Sequence, residues 1–175
     1  MVRFDKYHTF SRRFFALIID GLILSFTDEL LIMIPESGSF IVSLVMSILI
    51  STFPYLYSII MVGKYGQTVG KMLLRVKVVD NTTEKEASYN QAFMREVIPL
   101  LIIILIGIVS FFVLYGEDLE NFKPSTFGYI ILFLPAWSLL IWTITEIVTM
   151  FLNNKCRAFH DIIADTIVVK IEKEE

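Results

Sequence analysis

The chain has 175 residues, enough for one domain. It is 55% hydrophobic but only 19% charged, with a mean hydropathy of +0.69. Soluble domains run at roughly 45–50% apolar and 25% charged, so the long apolar blocks here are a membrane pattern rather than a rich soluble core. A net charge of −3 gives no ground for a nucleic-acid partner, the single cysteine (Cys156) excludes a disulfide framework within the chain, and two histidines (His8 and His160) leave little material for a metal site.

Residues 1–13 carry Arg3, Lys6, Arg12 and Arg13, and an apolar helix is expected over about 14–34. That stretch is long enough to cross a hydrocarbon core of ~30 Å. It is read as a retained spanning helix and not a signal peptide, because Asp20 interrupts the apolar run and no small-residue cleavage site follows. Asp20 lies six residues past Phe14, roughly 9 Å inside the core at ~1.5 Å per residue. An ionised group there costs about 2.5–3.5 kcal/mol on insertion scales, so it needs either partners or a task. Asp28 and Glu29 fall toward the outer end of the helix, and Pro35 to Ser39 reads as a turn. The second helix is expected over 40–62. Its Ser43, Ser47 and Ser51 recur every fourth residue, a spacing that suits close helix packing better than the lining of a polar path. Pro54 is a kink position, and Tyr55 and Tyr57 mark the inner end of this helix or a cavity.

Residues 63–96 are polar and basic. Within them Leu73–Val79 alternates, with Leu74, Val76 and Val78 on one face and Arg75 and Lys77 on the other, which is strand periodicity. A turn follows at Asp80 and Asn81. Ser88 then caps a short helix over 89–96, with Arg95 at the point of membrane entry. A third spanning helix is expected over 97–115, an acidic connection over 116–126 and a fourth helix over 127–151, in which Trp137 and Trp142 pack between helices. A short helix over 158–165 and a strand over 166–171 close the chain, and this strand can pair with 73–79. The expected fold class is therefore all-α membrane. One domain, 1–175, has four transmembrane helices, a cytoplasmic loop (63–96) and a cytoplasmic tail (152–175).

Fourteen of the fifteen basic residues lie in the N-terminal segment, the 63–96 segment and the tail; only Lys123 lies elsewhere. This asymmetry puts both termini and the central segment in the cytoplasm, and four crossings require the same.

The fourth helix has its own carboxylate, Glu146, about five residues before the inner end and so roughly 8 Å deep. Asp20 and Glu146 thus reach nearly one level. Two carboxylates there share a proton or a cation, or each pairs with an arginine. Arg13 lies two helical turns before Asp20 on the same face, and Arg95 enters from the same side. One reading is a cation or proton site opening to the cytoplasm; the other is a structural ion-pair cluster that fixes helix register.

Three further features resemble a known family. They are Arg13-x-x-Ala16-x-x-x-Asp20, the run Gly66-Gln67-Thr68-Val69-Gly70-Lys71, and His160-Asp161-x-x-Ala164-x-Thr166-x-Val168. In this order, over nearly the whole chain, they resemble the RDD family of small membrane proteins, whose named arginine and two aspartates correspond by position to Arg13, Asp20 and Asp161. Arg95 also resembles a recurrent family position, and Val69 stands where members often have proline. The resemblance implies a plasma membrane, usually bacterial. It also implies either sodium(potassium)/proton antiport, as associated with some members, or an accessory or protective role. By its own chemistry the Gly66–Lys71 run is no P-loop, since its glycines are too close and Met72 follows the lysine. A tight turn is the favoured reading over a site for a lipid phosphate. Asp161 is read as a salt-bridge partner of Arg13 or Arg95, or as a helix cap. No cofactor, metal or enzymatic activity is expected. The expected partners are the lipid bilayer, a monovalent cation and proton under the transport reading, and a second copy of the chain, because four helices rarely enclose an alternating-access path.

Overall fold

The computed structural model describes residues 6–32, 40–115 and 126–171. For 27–32, 107–115, 126–136 and five positions between 40 and 47 it describes the backbone only. In chain order the elements are α1 (Phe10–Ile32), α2 (Phe40–Tyr65), α3 (Val69–Leu73), β1 (Val76–Asp80), α4 (Tyr89–Tyr115), α5 (Thr126–Leu152), α6 (Phe159–Ile163) and β2 (Thr166–Lys170). Four helices are long, at 23, 26, 27 and 27 residues. Two stretches of them, Ile48–Tyr65 and Tyr89–Ile106, are long and apolar enough to cross a membrane, and Trp137–Leu152 is a shorter apolar stretch. Only 6% and 11% of the two spanning windows is buried inside the protein. A soluble core helix would hide such residues; here Leu17, Phe26, Leu101, Leu105 and Ile141 face outward, as lipid-facing residues do.

The α2 and α4 helices pack together most extensively, α5 lies against α4, and α6 touches both α4 and α5. The two strands pair antiparallel from Val76 opposite Lys170 to Asp80 opposite Thr166. One face of this ribbon, with Val76, Val78 and Val168, joins Val62 at the end of α2 and Ala92 at the start of α4 in an apolar cluster. The other face, with Val79, Ile167 and Val169, is covered by Tyr7. Two strands alone are marginal in water, and apolar cover on both faces supplies what the ribbon lacks.

Several boundaries differ from the sequence reading. The short helix at 89–96 and the third spanning helix are one continuous helix running through Pro99. The first strand begins at Val76, not Leu73, because Leu73 ends α3 and Arg75 adopts a left-handed conformation (φ 54°) that breaks the alternation. The α1 helix begins at Phe10, four residues early. Trp137 is 58% exposed and so does not pack between helices, whereas Trp142 meets Phe159 edge-on at 5.8 Å. The turn at 35–39, most of the acidic connection, and the side chains of Asp28, Glu29, Ser43 and Ser47 lie outside the described residues.

The Gly66–Lys71 run joins α2 to α3. Gly66 (φ 69°) closes α2, and its carbonyl accepts the Val78 amide at 2.8 Å. Gly70 presses onto α1 so closely that a Cβ there would sit 2.3 Å from the Ala16 carbonyl oxygen and 2.9 Å from an Asp20 carboxylate oxygen. Gly70→Ala should therefore destabilise the protein by about 1–3 kcal/mol through overpacking. Gly21→Ala, where nothing lies within 4 Å, should not, and thermal denaturation of the two variants checks the contrast.

Candidate functional site

Two polar clusters meet where the long helices join the strands. The first is built on Asp161 of α6, which has no exposed surface. Its two carboxylate oxygens are held by separate arginines: Arg13 of α1 at 2.7 Å and Arg95 of α4. The Ala158 amide donates to the same carboxylate at 3.0 Å, so Asp161 caps α6 as well as pairing with both arginines. Arg95 also donates to the Thr166 hydroxyl at 2.8 Å, and Arg157 donates to the Thr166 and Asp161 carbonyls at 3.0 Å each. One carboxylate thus gathers α1, α4, α6 and the start of β2. Burial alone would raise its pKa, but Arg13 and Arg95, with His160, overturn that and hold Asp161 well below the usual carboxylate range.

His160 extends this cluster to α5. Arg95 and Arg13 guanidinium nitrogens lie 2.9 and 3.4 Å from its Nε2, and its Nδ1 lies 2.6 Å from Glu146. Nε2 also lies 3.3 Å from an Asp161 carboxylate oxygen, so the ring stands between the two carboxylates, Asp161 and Glu146. The His160 amide adds a second bond to Glu146 at 3.1 Å.

The second cluster surrounds Asp20, also buried. It accepts hydrogen bonds from the Thr68 hydroxyl (2.5 Å), the Gly70 amide (2.8 Å) and the Tyr57 hydroxyl (3.1 Å). The Val69 amide in turn donates to the Tyr57 hydroxyl at 2.9 Å, and the Gln67 side chain donates to the Val76 carbonyl. The Val69 and Gly70 amides are thus aimed at Tyr57 and Asp20; Gly66, Gln67 and Thr68 make the connection, and Val69, Gly70 and Lys71 already belong to α3. Lys71, next in sequence, lies in the field of the Asp161 cluster and of Glu96. Burial, then Arg95 and Arg13, push its amine down to about 8 against the pull of Glu96 and Asp161.

Of the charged residues singled out in the sequence, Arg13, Arg95 and Asp161 come together, and Glu146 joins them through His160. Asp20 does not: Arg13, two turns away on its own helix, turns to Asp161. The carboxylates of Asp20 and Glu146 therefore have separate partners, and among the described residues neither pairs with an arginine. Sequence reasoning passed over Glu96 of α4, which accepts the Ser58 hydroxyl of α2 at 2.6 Å. Its signal was a carboxylate at the mouth of an apolar run, beside Arg95. Tyr57, Thr68, His160 and Arg157 gave no signal as partners.

The RDD family model matches residues 7–165, most of the chain and every residue of both clusters but Thr166. The chain belongs to the RDD family. No curated protein and no solved structure gives a match. In this RDD protein, a membrane-associated domain of its family, the motif residues have distinct structural work. The arginine and the second aspartate pair with each other, and the first aspartate is bonded by the glycine run.

Asp161→Asn would leave two buried guanidinium groups without their carboxylate and should cost about 3–5 kcal/mol. Asp165→Asn, which disturbs the exposed pair with Arg157, should cost under ~1 kcal/mol. Because the folded-state pKa of Asp161 is depressed, its contribution should be complete above the unfolded value near ~4 and vanish only as pH falls through the lower folded value. Thermal denaturation of both variants against pH checks both expectations.

Proposed function

We propose that this RDD protein is a non-transporting, multi-pass plasma-membrane module, an accessory, regulatory or immunity protein whose buried charges hold its architecture. In this reading all four long helices cross the bilayer of a bacterial cell. Both termini and the α3–β1 segment face the cytoplasm, where the two-stranded ribbon presents a surface to a protein partner. No enzymatic step belongs to it. The observation that carries the reading is the state of Asp161. Both oxygens of a carboxylate with no exposed surface are already held by Arg13 and Arg95. A transport site must exchange its ligand with solvent, and a carboxylate so enclosed has nowhere to take one.

A second reading, exchange of a monovalent cation for a proton, draws on Asp20. Its bonded groups are two hydroxyls and one amide, so the carboxylate is surrounded by groups that can re-form around a small cation. Glu146, committed to His160, is the weaker member of the pair named from sequence. This reading needs a homo-oligomer to enclose a path.

One experiment separates the two. Proteoliposomes holding the full chain are given a pH gradient and sodium or potassium. The module reading predicts no cation-dependent dissipation above that of empty liposomes. Dissipation by the wild type that disappears in a folded Asp20→Asn variant would overturn it in favour of exchange.

A further inference from the structure

Lys6, Lys77 and Arg157, like Arg13 and Arg95, each meet a carboxylate. Among the described residues Arg12, Lys71 and Arg75 form no such pair, and neither do Lys64, which lies over the Tyr65 ring, Lys85, or Lys155, which donates to Asn81. What sets Arg12, Lys71 and Arg75 apart is that they converge on one corner. Lys71 lies within α3, Arg75 directly follows its cap residue Leu74, and Arg12 of α1 donates from Nη1 to the Leu74 carbonyl at 3.2 Å. Arg12 and Arg75 are exposed and Lys71 is partly so. At the same corner Met72 and Leu73 are 37% and 65% exposed, and Phe14 and Phe15 of α1, the helix against which α3 packs, are exposed as well.

Unpaired cations beside exposed apolar side chains, at the junction of a membrane helix and a strand, match the two parts of one molecule: a phosphate and its acyl chains. We propose that the α3 corner is a binding site for an anionic phospholipid of the inner leaflet, with Arg12, Lys71 and Arg75 on the headgroup phosphate and Met72 and Leu73 among the acyl chains. The bond to Leu74 occupies one of Arg12's donors, leaving others for phosphate oxygens in the planar arrangement that suits them. Lys71 has the most to gain. Burial together with Arg95 and Arg13 disfavours its charge, with Asp161 and Glu96 only partly offsetting them, and a phosphate would restore it. The contact is made by side chains, since the nearby amides of Val69 and Gly70 already donate to Tyr57 and Asp20. The exposed apolar residues are what select a lipid over a free anion. The site rests on the membrane placement proposed above, and it is independent of whether ions cross.

The test is native mass spectrometry of the full chain released from detergent, with phosphatidylglycerol, phosphatidylcholine or inorganic phosphate added. Phosphatidylglycerol should be retained preferentially. Neutralising the cations in turn (Arg75→Gln, Lys71→Gln, Arg12→Gln) should reduce retention roughly fivefold for each charge near the surface. Lys77→Gln, at a residue already paired with Glu86, should leave retention unchanged. If Arg12→Gln fails to fold through loss of the Leu74 contact, Arg75→Gln, at an exposed position, carries the same expectation. Equal retention of the two lipids would overturn the site, as would full retention in the Arg75→Gln, Lys71→Gln double variant. Displacement of the lipid by millimolar inorganic phosphate would instead assign the corner to a free anion and overturn the lipid reading. A chain that stays soluble without detergent would overturn both this site and the membrane placement.

Discussion

A carboxylate taken out of water must be compensated where it sits, and Asp161 is compensated by two arginines that arrive from opposite parts of the chain. Removing such an ion from water costs several kcal/mol even after relaxation, so the fold is consistent only when Arg13, Arg95 and Asp161 are all in place. The rest of this end of the fold follows from this. Arg13 fixes the start of α1, Arg95 fixes the start of α4, and the capped α6 delivers β2 in register with β1. The apolar cluster of Val62, Val76, Val78 and Val168 then seals the ribbon onto the helix ends. Hydrophobic burial supplies the favourable energy here, and the ion pairs supply the geometry.

Asp20 obeys the same rule by different means. No cation reaches it among the described residues; it is satisfied instead by the Tyr57 hydroxyl of α2, the Thr68 hydroxyl of the connection and the Gly70 amide of α3. This explains why the connection needs a glycine at position 70, where α1 leaves no room for a Cβ, and a threonine at position 68. The two aspartates therefore act as separate fastenings. Asp20 fixes α3 to α1, and Asp161 fixes α6 and the ribbon to α1 and α4. Lys71, in α3, has its charge disfavoured by burial and by both arginines and favoured by Glu96 and Asp161.

Much of this was legible in the residues because the strongest physical signals are long or charged. Four apolar runs gave four long helices, although α1 begins four residues early and α4 eight, where the short helix expected at 89–96 is part of it. The alternation read over 73–79 and the strand read over 166–171 correspond to the paired ribbon of Val76–Asp80 and Thr166–Lys170. The family resemblance singles out Asp161, which reads as a partner of Arg13 or Arg95 or as a helix cap; it pairs with both arginines and caps α6. What stayed hidden was short or non-local. The α3 helix has five residues, too few for a helical period to show, and the alternating pattern beginning at Leu73 overlapped its end. The bonds from Tyr57 and Thr68 to Asp20 join residues 37 and 48 positions apart, and no local pattern announces them. Glu146 looked like the counterpart of Asp20 because depth along a helix can be counted from sequence. Which way the side chain turns, here toward His160, cannot be counted in the same way.

The central claim is that a single enclosed carboxylate docks the ribbon onto the ends of the long helices. Hydrogen–deuterium exchange on the full chain in lipid nanodiscs, comparing wild type with Asp161→Asn, tests it most directly. The account predicts that the amides of β1, β2 and α6 lose protection in the variant while the amides in the middle of α2 and α4 keep theirs. Protection of β1 and β2 equal to that of the wild type, in a variant that remains folded, would contradict it.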